Sequence, residues 1–113
     1  MKLKEVKEIL KAEIIGVVNL EIEIKVGCGS DLMSDVLAFI KPEALLLTGL
    51  INPQVVRTAE MVDIKVICFV RGKNPPIETM ALAKEKNVSL LKTKFSMYEA
   101  CGKLYQRGLA GSS

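Results

Sequence analysis

Apolar residues change their spacing several times along this chain, and each change marks an element boundary. Leu3, Val6, Ile9 and Leu10 fall on one face at helical spacing, which predicts an opening helix. From Leu20 to Val26 the spacing drops to two, with Leu20, Ile22, Ile24 and Val26 alternating with Glu21, Glu23 and Lys25. With the preceding stretch this predicts a strand or hairpin at about 12–18 and 20–26. After Gly27-Cys28-Gly29-Ser30, Leu32, Val36, Phe39 and Ile40 return to helical spacing, and Lys41-Pro42 ends that helix because a proline disfavours helix in the residue before it. The result is a strand, a glycine loop and a helix.

The same unit then recurs. Ala44-Leu45-Leu46-Leu47 is a short apolar run suited to a buried strand. Thr48-Gly49 follows, then Asn52-Pro53, where Asn suits a helix cap and Pro the first helical position. Ile64 to Val70 is the most strand-like run. It is bounded by the turn-rich Arg71-Gly72-Lys73-Asn74-Pro75-Pro76 and a helix from about Ile77 to Lys86. Val88 to Leu91 predicts a last strand, and Ser96 with Glu99 a capping box opening a helix that stops at Gly108. Residues 1–108 thus form one domain, with 109–113 expected to be a flexible tail. Repeated strand–helix units imply right-handed crossovers, hence a three-layer α/β/α sandwich around a mainly parallel sheet. Ligands of such sheets bind beyond the carboxyl ends of the strands, so the segments 27–31, 48–52, 70–75 and 93–96 are expected to converge there.

Length and composition narrow the possibilities. A chain of 113 residues has room for one ordinary core. Half of it is hydrophobic, an excess that leaves apolar surface for a partner. No apolar run reaches the roughly 18 residues of a membrane span, and the amino terminus is amphipathic rather than signal-like, so a cytoplasmic location without membrane contact is expected. Cys28, Cys68 and Cys101 are odd in number and lack the close spacing of zinc or dithiol sites, and histidine is absent. No metal, cofactor or catalytic machinery is therefore expected. The net charge of +3 is scattered, with three Phe, two Tyr and no Trp to stack bases, which argues against nucleic acid.

The candidate site residues are Gly29, Ser30, Asp31, Thr48, Gly49, Asn52, Arg71 and Lys73. Glycines let backbone approach an anion, hydroxyls and N–H groups at helix starts donate to it, and the two cations attract it. Each has a plainer reading as a tight turn, a cap or a solvated loop charge. The glycine segment lacks the Gly-Lys-Ser/Thr ending of a phosphate-binding loop, and Leu32 stands where a dinucleotide fingerprint has its last glycine. Asp31 and Asp35, four apart, would share one helical face and could face a magnesium ion, although acidic residues also favour a first helical turn unaided. Cys28 is expected near solvent in the loop, Cys68 in the core and Cys101 against the last helix. Arg57 lies on a helix facing water, and Met33, Met61, Met80 and Met97 serve as core or interface fillers.

Four strings, Gly29-Ser30-Asp31-Leu32-Met33-Ser34-Asp35-Val36-Leu37, Leu47-Thr48-Gly49-Leu50, Val70-Arg71-Gly72-Lys73 and Ser96-Met97-Tyr98-Glu99-Ala100-Cys101-Gly102, resemble the stand-alone DRTGG-domain proteins of anaerobic bacteria. Related modules accompany CBS domains in regulatory pyrophosphatases and occur in phosphotransacetylases. Their fold is similar to the amino-terminal domain of HPr kinase/phosphorylase. The Asp-Arg-Thr-Gly-Gly string itself is absent here. The resemblance implies a regulatory or dimerising module, with stand-alone members often associated with iron-only hydrogenase systems. It does not imply kinase activity, because the phosphate-binding loop of phosphoryl transfer is missing. The leading expectation is a non-catalytic homodimer that senses a small anionic metabolite or nucleotide at the rim. The alternative is an assembly subunit of a hydrogenase or other redox complex, without a small ligand.

Overall fold

In the computed structural model, residues 1–111 are described. Helix α1 (Leu3–Leu10) and strand β1 (Glu13–Ile15) precede a run of strand–helix units: β2 (Val26–Gly29), α2 (Met33–Phe39), β3 (Ala44–Thr48), α3 (Pro53–Met61), β4 (Val66–Phe69), α4 (Ile77–Glu85) and β5 (Ser89–Lys92). Helix α5 (Met97–Gln106) and a two-residue strand β6 (Ala110–Gly111) complete the chain. The six strands lie in the order β1-β5-β4-β3-β2-β6. Only β1 runs antiparallel to its neighbour, so the expected three-layer, mainly parallel architecture is what the structure has.

The order follows from handedness. Each crossover from β2 to β5 advances the sheet by one strand in the same direction, so right-handed connections place α2, α3 and α4 on one face. Strand side chains alternate accordingly. Leu46, Ile67, Phe69 and Leu90 pack with Val36, Val55, Val56 and Ala83 of those helices. Leu45, Leu47, Val66, Cys68 and Leu91 face the other way, into Leu3, Val6 and Leu10 of α1 and Ala100 and Leu104 of α5. β3 and β4 are buried along their whole length, as strands covered by helices on both faces must be.

Several local expectations change. The alternating stretch 20–26 is not a sheet strand before Val26. It keeps its period-two burial, with Ile24 only 1% exposed, but its backbone serves α1 instead. Leu3 N–H donates to Ile22 O (2.8 Å) and Lys4 N–H to Leu20 O (3.0 Å), so the extended segment satisfies helix donors that have no partner inside the helix. In α2 the inward positions are Met33 and Val36, followed by Ile40 at its C-cap, while Leu32, the N-cap residue, and Phe39 are 57% and 65% exposed. At the carboxyl end, Leu109 is 5% exposed and packs in the α1–α5 core, and Ala110–Gly111 pair in parallel with Val26–Gly27. A flexible tail does not describe residues 109–111, and 112–113 lie outside the described residues. No helix among the described residues is long and apolar enough to cross a membrane.

Candidate ligand site at the sheet rim

The Gly27-Cys28-Gly29 segment is strand rather than loop, and its glycines answer to packing. A Cβ on Gly29 would stand 2.5 Å from Cys101 Sγ, and one on Gly27 would stand 3.2 Å from Leu109 Cδ2. The absence of side chains lets α5 and the chain after it lie close on β2. Cys28 accordingly points to the opposite face, half-buried against the α2–α4 core, rather than sitting in a solvent-facing loop. Cys68 is fully buried, and that burial pushes its thiol pKa up to about 12. Cys101 is half-buried with its thiol raised as well, chiefly by burial. Thiols held in the protonated form are poor nucleophiles.

Because Gly29, Leu47 and Cys68 are in register, with Thr48 beside Phe69 and Phe69 beside Lys92, strands β2 to β5 end at one rim. Most of the candidate residues meet there. Thr48, at the end of β3, is fully buried, and its Oγ1 donates to Asp31 Oδ1 at 2.9 Å. The Gly49 N–H donates to the same carboxylate oxygen at 2.7 Å, and Leu50 N–H donates back to Thr48 Oγ1 at 3.1 Å. On the other side of the Gly49 Cα, Lys73 Nζ donates to Gly49 O at 3.0 Å. Asp31 and Lys73 thus grip Gly49 from both sides of its Cα, one through its N–H and the other through its C=O. A Cβ on Gly49 would stand 3.6 Å from both carboxylate oxygens and from the ammonium, so this residue is the midpoint of the cluster.

The remaining candidates take framing positions. Ser30 N–H donates to Leu47 O, continuing the ladder one step past β2, and Ser30 Oγ accepts from Leu32 N–H at 3.0 Å. Asn52 occupies the cap position of α3 with no side-chain capping bond, since Pro53 follows it without an N–H and the Asn52 carbonyl takes the Val55 N–H instead. Arg71 is exposed with φ 60°, and Gly72 follows at φ 65°. The two left-handed residues turn the chain so that Arg71 N–H reaches Phe95 O and Gly72 N–H reaches Thr93 O, which fastens the β4 and β5 loops together. Thr93, itself buried, donates to Leu10 O at 2.7 Å and ties this loop to the end of α1. Thr79 Oγ1 likewise donates to Ile51 O, fixing the loop before α3 against α4.

Asp31 and Asp35 do not form the pair that their spacing suggested. α2 begins at Met33, so Asp31 lies outside it and turns to β3, while Asp35 sits exposed in the first turn. No group of three or more potential metal-ligating side chains occurs among the described residues. Sequence reasoning missed the groove along α5, where Gly27, Gly29, Tyr98, Gly102, Tyr105 and Gly111 are among the lining residues and the two tyrosines are 89% and 74% exposed. The tyrosines are seven residues apart on one helical face, a signal present in the sequence but obscured by the motif around Cys101.

No protein-family model matches the sequence, and no curated protein does. Among solved structures, the chain is similar to the CBS and DRTGG domains of the regulatory region of a Clostridium perfringens pyrophosphatase, crystallised with its activator, diadenosine tetraphosphate. The TM-score is 0.69 at 15% sequence identity, over 93% of this chain and 46% of that one. The chain therefore spans about half the length of that regulatory region, and the likeness is one of backbone. With its mainly parallel six-stranded sheet packed by helices on both faces, the chain has a DRTGG-like α/β fold.

Proposed function

We propose that the chain is a non-catalytic regulatory module that homodimerises and binds a small anionic metabolite or nucleotide at the rim formed by Gly29, Ser30, Asp31, Thr48, Gly49, Asn52, Arg71 and Lys73. The observation that carries this reading is the shared fold with a regulatory region that binds a dinucleotide activator. The rim adds chemistry in its favour, because the β4 loop brings Lys73 onto the end of β3, where hydroxyl and N–H donors gather, and carries an exposed Arg71 two residues before it. Two cations and several donors beyond the carboxyl ends of parallel strands suit a phosphorylated ligand.

A thermal-shift screen against nucleotides, dinucleoside polyphosphates and phosphorylated metabolites tests the proposal, since a ligand that binds only the folded state raises the melting temperature. For a hit, Arg71→Ala should weaken binding by about 1–3 kcal/mol, the worth of a charged hydrogen bond. Arg and Ala bear the same left-handed backbone cost at this position, so the cation is the main difference between the two proteins. Equal affinities would remove Arg71 from the site. Light scattering at micromolar concentration should report a dimer, and a monomer throughout would count against the assembly.

The groove along α5 favours a second reading, a protein-interaction or assembly subunit of a hydrogenase or other redox complex. Exposed aromatic residues beside a glycine-lined groove are features of protein-contact surfaces. A screen without ligand hits, together with co-purification of such a complex that is lost in Tyr98→Ser/Tyr105→Ser, would favour it.

A further inference from the structure

The rim contains an anion of its own. Asp31 Oδ1 accepts from both Thr48 Oγ1 (2.9 Å) and Gly49 N–H (2.7 Å), two donors at the end of β3 that face the gap between the β2 and β4 loops. Both donors lie in buried residues, while Asp31, which accepts from both, is exposed. Lys73, whose ammonium lies beside the cluster, is drawn onto Gly49 O, the carbonyl of the next peptide unit. The backbone beside Asp31 is held independently of its side chain, by Ser30 N–H on Leu47 O and by Leu32 N–H on Ser30 Oγ. The carboxylate can therefore swing out by side-chain rotation, into solvent to which Asp31 is already exposed, without opening the sheet.

We infer that Asp31 is an internal occupant of the rim: its carboxylate takes the Thr48 and Gly49 donors that a bound anion needs, and a ligand enters by displacing it. This rests on the rim being the ligand site, as proposed above, and it names the ligand class. A tethered carboxylate competes at a high effective concentration, so a free monocarboxylate offering the same two bonds gains little by replacing it. A phosphoryl group carries more charge and three acceptor oxygens, so it can hold the donors of Gly49 and Thr48 while also engaging Lys73 and Arg71. An anion that arrives without displacing Asp31 meets like-charge repulsion. The rim thus discriminates in favour of phosphorylated ligands and against simple carboxylates.

The test titrates inorganic phosphate and acetate into the wild-type chain, Asp31→Ala and Asp31→Asn, following the Gly49 amide resonance, with a native-like spectrum of each variant as the folding control. Asp31→Ala should bind phosphate about tenfold or more tightly than wild type, as expected when a charge-assisted competitor is removed, and should bind acetate measurably where wild type does not. Asp31→Asn keeps an acceptor oxygen but loses the charge and should fall between the two. It carries the test alone should the alanine variant not fold. Wild type binding phosphate with either variant equal or weaker would overturn the inference while leaving the rim as a site. Absence of phosphate binding in all three proteins, together with an empty nucleotide screen, would remove both.

Discussion

Gly29 has no side chain because α5 has taken the space. Gly29→Ala puts a Cβ against Cys101 Sγ, and a cysteine has only one rotatable bond with which to retreat, so the variant should lose about 1–3 kcal/mol of stability in urea denaturation. Adding Cys101→Ala should restore part of that loss, and a double variant no better than the sum of the singles would show that the clash is not the cause. Thr58 offers the opposite case. Its Oγ1 is buried without a hydrogen-bond partner among the described residues, so Thr58→Val should be neutral or stabilising by up to about 1 kcal/mol at the urea midpoint. The buried Cys68 makes stability depend on pH. Its folded-state pKa, about 12, lies above the ordinary thiol value of 9.0, so the unfolded chain gives up this proton first. The contribution is fully present below pH 9 and is lost as the pH rises toward 12. Between those values wild type should lose stability more steeply than Cys68→Val, and parallel curves would remove the thiol as the cause.

Among the elements, α5 starts on a side-chain cap. Ser96 Oγ accepts from Glu99 N–H at 3.2 Å and donates to Glu99 Oε1 at 3.3 Å, so the serine half of the expected capping box is present, while the Glu99 carboxylate meets the Ser96 hydroxyl rather than its backbone N–H. Ser96→Ala should cost about 1 kcal/mol, read as a shift in the urea midpoint with an unchanged slope. α3, by contrast, begins without a side-chain cap despite Asn52, since Pro53 already removes one donor and the Asn52 carbonyl takes Val55 N–H. The segment 20–24 shows how a strand-like period can arise without a ladder. One side of it packs against the α1–α5 core while its carbonyls cap α1, and period two reports one-sided burial of extended chain whether or not a strand pairs with it.

For the whole molecule, the carboxyl-terminal return of the chain matters more than its length suggests. Leu109 fills the space over Gly27, and β6 covers the edge of β2. Ending the chain after Gly108 should lower the unfolding free energy by about 2 kcal/mol, the value of burying one leucine, and promote association through the uncovered edge. Calorimetry and light scattering on the shortened chain would show both effects, and an unchanged melting temperature would mean that this segment contributes little.

The strand–helix units from β2 to α5 were legible from residue order alone, because burial on one or both faces writes its period directly into the chain. Parallel pairing followed from those units through chirality, and the convergence of residues 29–31, 48–49 and 71–73 on one rim followed from parallel pairing. What the linear pattern could not convey was which groups satisfy one another across that rim. Asp31 reads as the opening of a helix until its carboxylate is seen on Thr48 and Gly49, residues 17 and 18 positions away. Gly27 and Gly29 read as a phosphate turn until α5 and Leu109 are seen lying against them. Local periodicity encodes which face of an element is dry. The partner of a polar group or of an absent side chain is set by packing between distant segments, and that was decided only in the tertiary structure.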